Sequence, residues 1–172
     1  MKQLYFSGFC LEGESGLFSE YLIENDFTIS GFSYGAIKAF DFALYSASVG
    51  VRVDLVQLFS PAFFNDKDKK YKRMQLIYFN KDSKTYCNNF LENSGFSQEQ
   101  KSKYFTEGKY EELDELLNYN WDKEKLKLLS QNGTKIEVYL GENDKIVDTQ
   151  KALEFFVDVA EVYFIKHKGH IL

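Results

Sequence analysis

Short β-favouring runs of hydrophobic residues alternate with longer helical patterns along the chain. The runs predict five strands, at residues 2–6, 27–30, 52–59, 135–140 and 162–165. Residues 16–24 and 34–47, which lie between the first three runs, place apolar side chains at the spacing of one helix face. Strands that alternate with helices are typical of an α/β fold with a parallel sheet, whose crossovers are right-handed.

The segment between the third and fourth strands, residues 63–125, interrupts this alternation. It is rich in tyrosine, lysine and asparagine, and it contains helical patterns such as QEQKSKYFTEG and YEELDELLNYNW. Because a linker of this length is unusual in a compact domain, we predict a core of residues 1–62 and 126–172 and a helical lid of residues 63–125. A surface crossover is the alternative. The aromatic residues of the lid would line a channel or form the lid's own small core, and they include Tyr71, Phe79, Tyr86, Phe90 and Tyr104.

The predicted strands at 27–30 and 135–140 each have one apolar and one more polar face. Such alternation indicates one buried and one wetter face, although most parallel sheets are covered on both faces. Only one helix fits between the glycine turn after the first strand and the second strand, and the chain ends two residues after His170. We therefore expect the second face of the sheet to be bare or covered by a second copy of the chain in a homodimer. We also expect His170 to lie near a fraying terminus.

Composition excludes several classes of protein. The chain has 172 residues, of which 44% are hydrophobic and 27% charged, as in a single globular domain. Its net charge of −5 argues against general nucleic-acid binding. No apolar run approaches the roughly 20 residues of a membrane span, and the N-terminus does not resemble a signal peptide. Cys10 and Cys87 are too few for a disulfide framework, so we expect a reducing, cytoplasmic setting. Neither cysteine nor His167 nor His170 has metal-ligand spacing, so no metal or other cofactor is expected.

The pentapeptide GFSYG, residues 31–35, lies between a predicted strand and a predicted helix. This G-x-S-x-G pattern in that context is typical of a nucleophile elbow, a tight turn that presents a serine hydroxyl at the amino end of a helix. Glycines beside the serine let neighbouring backbone segments approach closely. The pattern therefore predicts Ser33 as a nucleophile, and an ordinary turn serine is the alternative.

A serine hydroxyl needs a base, usually a histidine that a carboxylate holds in the right tautomer. Asp144 follows the fourth strand and His170 follows the fifth, in the chain order serine, acid, histidine. Carboxyl ends of parallel strands share one edge of the sheet, so the three side chains are expected to meet there. His167 is the alternative base. Asp148 is the alternative acid, although its position fits the N-cap of a following helix.

An oxyanion hole needs two backbone N–H groups, one from the residue after the nucleophile and one from the loop after the first strand. Tyr34 supplies the first. Phe9 is the expected second donor, and Gly8 permits the sharp bend before it. A plain glycine turn is the alternative reading of that loop.

The motifs GFSYG, GENDKIVD and KGHIL resemble those of the α/β-hydrolase superfamily over nearly the whole chain. The chain is similar to the small pimeloyl-[acyl-carrier protein] methyl ester esterases of biotin synthesis, the BioV type. The similarity lies in its short length, in FSGF at the first strand and in GFSYGAIKAF at the elbow. The resemblance implies an abridged α/β-hydrolase fold with a parallel sheet of about five strands. It also implies that Ser33, Asp144 and His170 remove the methyl group of that ester. A small-acyl esterase or thioesterase and a non-catalytic hydrolase-like binding protein are the alternatives.

The partner that the resemblance implies is an acyl-carrier protein, which is acidic. An acidic esterase needs a local basic patch to meet such a partner. The run NDKDKKYKRMQ, at the start of the predicted lid, supplies five basic residues: Lys67, Lys69, Lys70, Lys72 and Arg73. This run would dock the carrier protein, or it is a solvated helix face.

Overall fold

The computed structural model describes residues 4–172, and the first two residues of the predicted first strand lie outside this range. Five parallel strands form one sheet in the order in which they occur along the chain. They are β1 (Leu4–Phe6), β2 (Thr28–Phe32), β3 (Leu55–Phe59), β4 (Lys135–Gly141) and β5 (Glu161–Ile165). The predicted α/β class and the abridged five-stranded sheet are confirmed.

Seven α-helices and one 3₁₀-helix connect the strands in the described part of the chain. The 3₁₀-helix spans Glu14–Phe18. The α-helices are α1 (Tyr34–Ser48), α2 (Lys69–Lys81), α3 (Ser83–Ser94), α4 (Gln98–Tyr104), α5 (Tyr110–Asn118), α6 (Lys123–Gln131) and α7 (Thr149–Phe156). None of these helices has the length and apolar content that a bilayer crossing requires.

The helices α1, α6 and α7 form one layer beside the sheet. Trp121, just before α6, packs between Phe40 of α1 and Phe156 of α7, with ring centroids 5.4 and 5.2 Å away. Because β2, β3 and β4 each pair with the next strand in the chain, right-handed crossovers place α1, α6 and α7 on the same face of the sheet. This layer supports the strand ends that carry the candidate site.

The segment between β3 and β4 consists of helices, as its pattern predicts. The starts of α2 and α3 are capped by Asp68 and Asp82, and α4 begins with a capping box at Ser97. The helices α2 to α5 are called the lid below. The predicted boundary at residue 126 falls within α6, which packs on α1 and β4.

The second face of the sheet is not bare along its whole width. Phe18 of the 3₁₀-helix stacks on Phe59 and packs on Phe32, with ring centroids 4.9 and 4.8 Å apart. Gln57 of β3 donates to the Tyr21 carbonyl oxygen at 3.0 Å, which fixes the chain after this helix. The expectation of a bare face is therefore wrong for β2 and β3, because the 3₁₀-helix and the turns after it pack on these two strands. The helix predicted at 16–24 is replaced by the end of this 3₁₀-helix and by turns. On β5, Tyr163 remains 38% exposed. A homodimer through the less covered face of the sheet stays a prediction that sedimentation velocity would check.

Cys10 and Cys87 form a disulfide bond that joins the loop after β1 to α3 of the lid. The reducing setting inferred from the cysteine count therefore does not fit this pairing. The sequence positions, 77 residues apart, gave no sign that the two side chains meet. A cytoplasmic location stays a prediction.

Candidate active site

Ser33 lies at a strained turn between β2 and α1. Its φ of 57° is in the left-handed region, which a non-glycine residue adopts at a cost of about 1–3 kcal/mol. A Cβ on Gly31 would overlap the carbonyl oxygen of Gly35, and a Cβ on Gly35 would overlap that of Phe6. Both glycines of the pentapeptide are therefore required by close backbone contacts, as a nucleophile elbow demands.

Ser33, His170 and Asp144 are brought together at the carboxyl edge of the sheet. The Ser33 Oγ lies 2.8 Å from His170 Nε2, and His170 Nδ1 lies 2.6 Å from Asp144 Oδ2. The side chains of His170 and Asp144 are fully buried, and Ser33 is 1% exposed. With the Nδ1 proton facing the carboxylate, Nε2 can accept the serine proton, so the arrangement is suited to nucleophilic acyl transfer.

Local hydrogen bonds orient Asp144 toward the histidine. Its Oδ1 accepts from the backbone N–H groups of Ile146 and Val147 at 2.7 and 3.0 Å, which leaves Oδ2 for His170. The alternative acid, Asp148, instead caps α7 by accepting from the Lys151 N–H at 3.1 Å. The alternative base, His167, has a side chain that is 89% exposed and faces Glu142. The structure thus joins His170 and Asp144 to Ser33 and leaves both alternatives outside the cluster.

The loops that carry the acid and the base touch each other directly. Asn143 donates its backbone N–H to the Lys168 carbonyl oxygen at 2.8 Å, and a Cβ on Gly141 would overlap the carbonyl oxygen of Gly169. The left-handed bend that returns the chain toward Ser33 lies at His167, with φ of 64°, and not at the glycine before the base, Gly169.

We expect Gly141→Ala to separate the two loops. The added methyl group has to displace backbone, so the free energy of unfolding should fall by about 1–3 kcal/mol, and kcat for ester hydrolysis should fall with it. Chemical denaturation and steady-state kinetics measure both. Gly16→Ala is the control, because nothing lies within 4 Å of its Cβ position. Normal stability in Gly141→Ala would contradict the close contact of the loops.

The end of the chain is fixed rather than frayed. The Ser60 hydroxyl donates to the His170 carbonyl oxygen at 2.6 Å, and the Ile171 N–H donates to the Ser94 carbonyl oxygen at 3.2 Å. Leu172 is only 8% exposed. The expectation of a fraying terminus is therefore wrong, because contacts with the turn after β3 and with α3 hold His170 in place.

The two expected oxyanion donors belong to segments that meet at the elbow. Tyr34 is the first residue of α1, so its N–H has no intrahelical acceptor. The loop after β1 is pressed against the elbow at Gly35, and a Cβ on Gly8 would lie 2.9 Å from the Phe32 ring. Within residues 4–172 the Phe9 N–H has no hydrogen-bond acceptor. An oxyanion hole formed by the Phe9 and Tyr34 N–H groups stays a prediction.

Sequence reasoning missed a tether between the elbow and the lid. The Tyr34 hydroxyl donates to Glu115 Oε2 of α5 at 2.8 Å. Burial, followed by this hydrogen bond, raises the pKa of the Tyr34 phenol, which therefore remains a donor at neutral pH. No local sequence signal could have paired these residues, because 81 positions separate them.

A cleft of about 590 Å³ opens between the lid and the loop after β4. The Phe90 ring in its wall meets the His170 ring edge-on at 6.5 Å, so Phe90 stands between the cleft and the base, and Ser33, Asp144 and His170 do not line the cleft themselves. Most of its other lining groups are hydroxyls, amides and lysines, including Tyr71, Gln75, Tyr86, Asn89 and Lys145. Of the lid aromatics named from the sequence, Tyr71, Tyr86 and Phe90 line this cleft, as does Tyr78, and the buried Phe79 packs against Phe9 with ring centroids 6.2 Å apart.

The basic run lies at the start of α2 and in the turn before it. Lys69, Lys70 and Arg73 are exposed, and Lys72 is partly buried. Lys67 pairs with Asp66 at 3.3 Å, and its ammonium group lies 5.4 Å from the Tyr71 ring centroid. The run therefore borders the cleft through Tyr71. Within residues 4–172, no cluster of three or more His, Cys, Asp or Glu side chains could hold a metal ion.

Solved structures share this fold, although no family model and no curated protein sequence matches the chain. BioG from Haemophilus influenzae superposes with a TM-score of 0.57 at 13% identity, over 99% of this chain and 88% of that one. An α/β superfamily hydrolase from Oenococcus oeni gives 0.59 at 14% identity, over 98% and 84%. A hydrolase from Oleispira antarctica gives 0.62 at 13% identity, over 84% of this chain but only 58% of its own. The chain therefore has the α/β-hydrolase fold.

Proposed function

We propose that this chain, which has the α/β-hydrolase fold, is a serine carboxylic ester hydrolase. The observation that carries the proposal is the continuous hydrogen-bonded chain from Ser33 through His170 to Asp144, with the serine on a strained elbow. A buried serine that only stabilised a turn would not need a histidine and a buried carboxyl group in line behind it.

We propose one step of the reaction for each group. Ser33 Oγ attacks the ester carbonyl carbon while His170 Nε2 takes its proton, and Asp144 stabilises the imidazolium that forms. The N–H groups of Phe9 and Tyr34 bind the negative oxygen of the tetrahedral intermediate. His170 then protonates the departing alcohol, which leaves an acyl-serine. Water, activated by the same histidine, releases the carboxylic acid and restores the serine.

We further propose that the substrate is pimeloyl-[acyl-carrier protein] methyl ester, with methanol as the leaving alcohol. The sequence resemblance to the small methyl ester esterases of biotin synthesis supports this substrate. The placement of the basic run beside the cleft also supports it, because an acidic carrier protein bound at Lys69 and Lys70 would present its acyl arm at the cleft.

Mass spectrometry of methyl pimeloyl-carrier protein incubated with the enzyme tests the substrate. We expect the carrier to lose the mass of one methylene group, because the methyl ester becomes a free acid. Release of the whole acyl group would instead indicate a thioesterase. An unchanged carrier, under conditions in which a simple nitrophenyl ester is hydrolysed, would indicate a small-acyl esterase.

The double charge reversal Lys69→Glu/Lys70→Glu tests the docking surface. We expect KM for the carrier-protein substrate to rise about tenfold, because two exposed ion pairs of up to about 1 kcal/mol each are lost, while kcat for a small methyl ester is unchanged. Steady-state kinetics at low and high salt measure both. The matched control is Lys125→Glu/Lys127→Glu on α6, outside the lid. An equal rise in KM in the control would contradict docking at α2.

A further inference from the structure

Glu14 is a buried acidic residue that the proposed reaction does not use. It begins the 3₁₀-helix after β1 and is fully buried. Its Oε1 accepts hydrogen bonds from the Gly8 backbone N–H at 2.9 Å and from the Tyr5 hydroxyl at 3.0 Å. Its Oε2 has no hydrogen-bond partner in the part of the chain that the structure describes. Burying an incompletely paired carboxyl group costs free energy, so its presence calls for a local role.

The role concerns the two peptide groups that flank Gly8, the second of which carries the Phe9 N–H. The Gly8 N–H is held by Glu14, and the Gly8 carbonyl oxygen accepts from the Leu11 N–H at 3.2 Å. No peptide bond in residues 4–172 is cis. In a trans peptide the N–H points opposite to the carbonyl oxygen of the same plane. The direction of the Gly8 carbonyl therefore fixes the direction of the Phe9 N–H.

Gly8 would otherwise be the pivot of this loop. A glycine lacks the Cβ that restricts other residues, so its two flanking peptide groups rotate easily unless each is hydrogen-bonded. The loop has other attachments on both sides of Gly8. The Gly13 N–H donates to Ser7 Oγ at 3.3 Å, and the disulfide at Cys10 and the bridge between Leu11 and Phe105 lie further along the chain. The hydrogen bond that holds the Gly8 N–H itself comes from the Glu14 carboxyl group.

We infer that Glu14 is a positioning residue for the oxyanion hole. Its Oε1 anchors Gly8, so that the Phe9 N–H stays aimed at the negative oxygen that forms beside Ser33. Glu14 touches neither the substrate nor the triad and acts through the backbone. This inference rests on the proposed ester hydrolysis and adds a residue to it. Tyr5 supports the anchor, because burial and the nearby Glu14 raise the pKa of its phenol and keep it a hydrogen-bond donor.

Three substitutions separate an anchoring role from a general need for a filled site. Glu14→Leu keeps much of the volume but removes the acceptor, and it should lower kcat about 100-fold with little change in KM, because one oxyanion donor is lost. Glu14→Gln keeps an oxygen acceptor and should restore kcat to within about tenfold of wild type. Tyr5→Phe removes the other hydrogen bond to Oε1 and should lower kcat less than Glu14→Leu does, because the bond from the Gly8 N–H to Oε1 remains.

A trifluoromethyl ketone that mimics the ester supplies a second readout. It forms a tetrahedral oxyanion on the serine, so its affinity should fall in Glu14→Leu in parallel with kcat/KM. Affinity for the carboxylate product should not change. A wild-type kcat in folded Glu14→Leu, or an equal loss in Glu14→Gln and Glu14→Leu, would overturn the inference. If Glu14→Leu does not fold, Glu14→Asp makes the same test, because its shorter side chain withdraws the acceptor while it keeps a carboxyl group.

Amide hydrogen exchange distinguishes a failure of this inference from a failure of the proposed function. We expect slow exchange of the Gly8 N–H in wild type and faster exchange in Glu14→Leu. Absence of ester hydrolysis in wild type would defeat the proposed function, and the exchange difference would still show the anchor. Equal Gly8 exchange in the two proteins would overturn the anchor even where the wild type is an active esterase.

Discussion

Replacing Ser33 by alanine is expected to lower kcat for ester hydrolysis roughly 10⁶-fold, the scale on which removal of a triad serine acts. The reason is geometric. Its Oγ is the atom that faces His170 Nε2 at 2.8 Å, so alanine leaves the base with no proton to accept and the ester with no nucleophile. A residual rate from binding and from the oxyanion donors should remain. Steady-state kinetics with a methyl ester and labelling with a fluorophosphonate probe measure the loss.

Ser48→Ala is the matched control for this variant. Ser48 is exposed at the end of α1, and its hydroxyl donates to the nearby Tyr45 carbonyl oxygen at 2.6 Å. It should keep full activity and probe labelling, and both variants should melt near the wild-type temperature. Substantial labelling of Ser33→Ala would place the nucleophile elsewhere. An unlabelled wild type would favour the non-catalytic binding protein.

The sequence was sufficient to predict the parts of the site that follow from local rules. A serine between two glycines at a strand-to-helix turn predicts a nucleophile elbow. The structure shows why both glycines are needed, because a Cβ at Gly31 or Gly35 would overlap backbone atoms. Asp144 and His170 each follow a strand, and a parallel sheet gathers the carboxyl ends of its strands at one edge. The structure accordingly brings these residues within hydrogen-bonding distance of each other.

The contacts that depend on how distant segments pack could not be predicted in this way. The pairing of Cys10 with Cys87 and of Tyr34 with Glu115 joins the core to lid helices whose positions no periodicity specifies. Residues 16–24 have helical spacing, yet the buried hydrogen bonds of Glu14 and the stacking of Phe18 favour a 3₁₀-helix and turns. Tertiary contacts of this kind override a local pattern. They also decide which peptide N–H groups reach the site.

Asp144→Asn is expected to lower kcat about 10⁴-fold while the fold is retained. Asp144 Oδ1 accepts from two backbone N–H groups, so the asparagine should keep its oxygen there and turn its amide NH₂ toward His170. Nδ1 must then accept a hydrogen bond, which places the imidazole proton on Nε2. In that tautomer the ring cannot take the proton of Ser33. The pH dependence of kcat and the ¹⁵N shifts of the His170 ring report the change.

Asp148→Asn provides the comparison that makes this result specific to the triad. Both carboxyl groups lie in the segment after β4 and accept backbone N–H groups, but only Asp144 reaches the histidine. Because asparagine is also a good N-cap, Asp148→Asn should preserve α7 and leave kcat near that of wild type. If the two variants lost activity equally, the loss would reflect disturbance of the loop. If Asp144→Asn alone were impaired and still carried the normal imidazole tautomer, the carboxyl group would act by its charge rather than by orienting the ring.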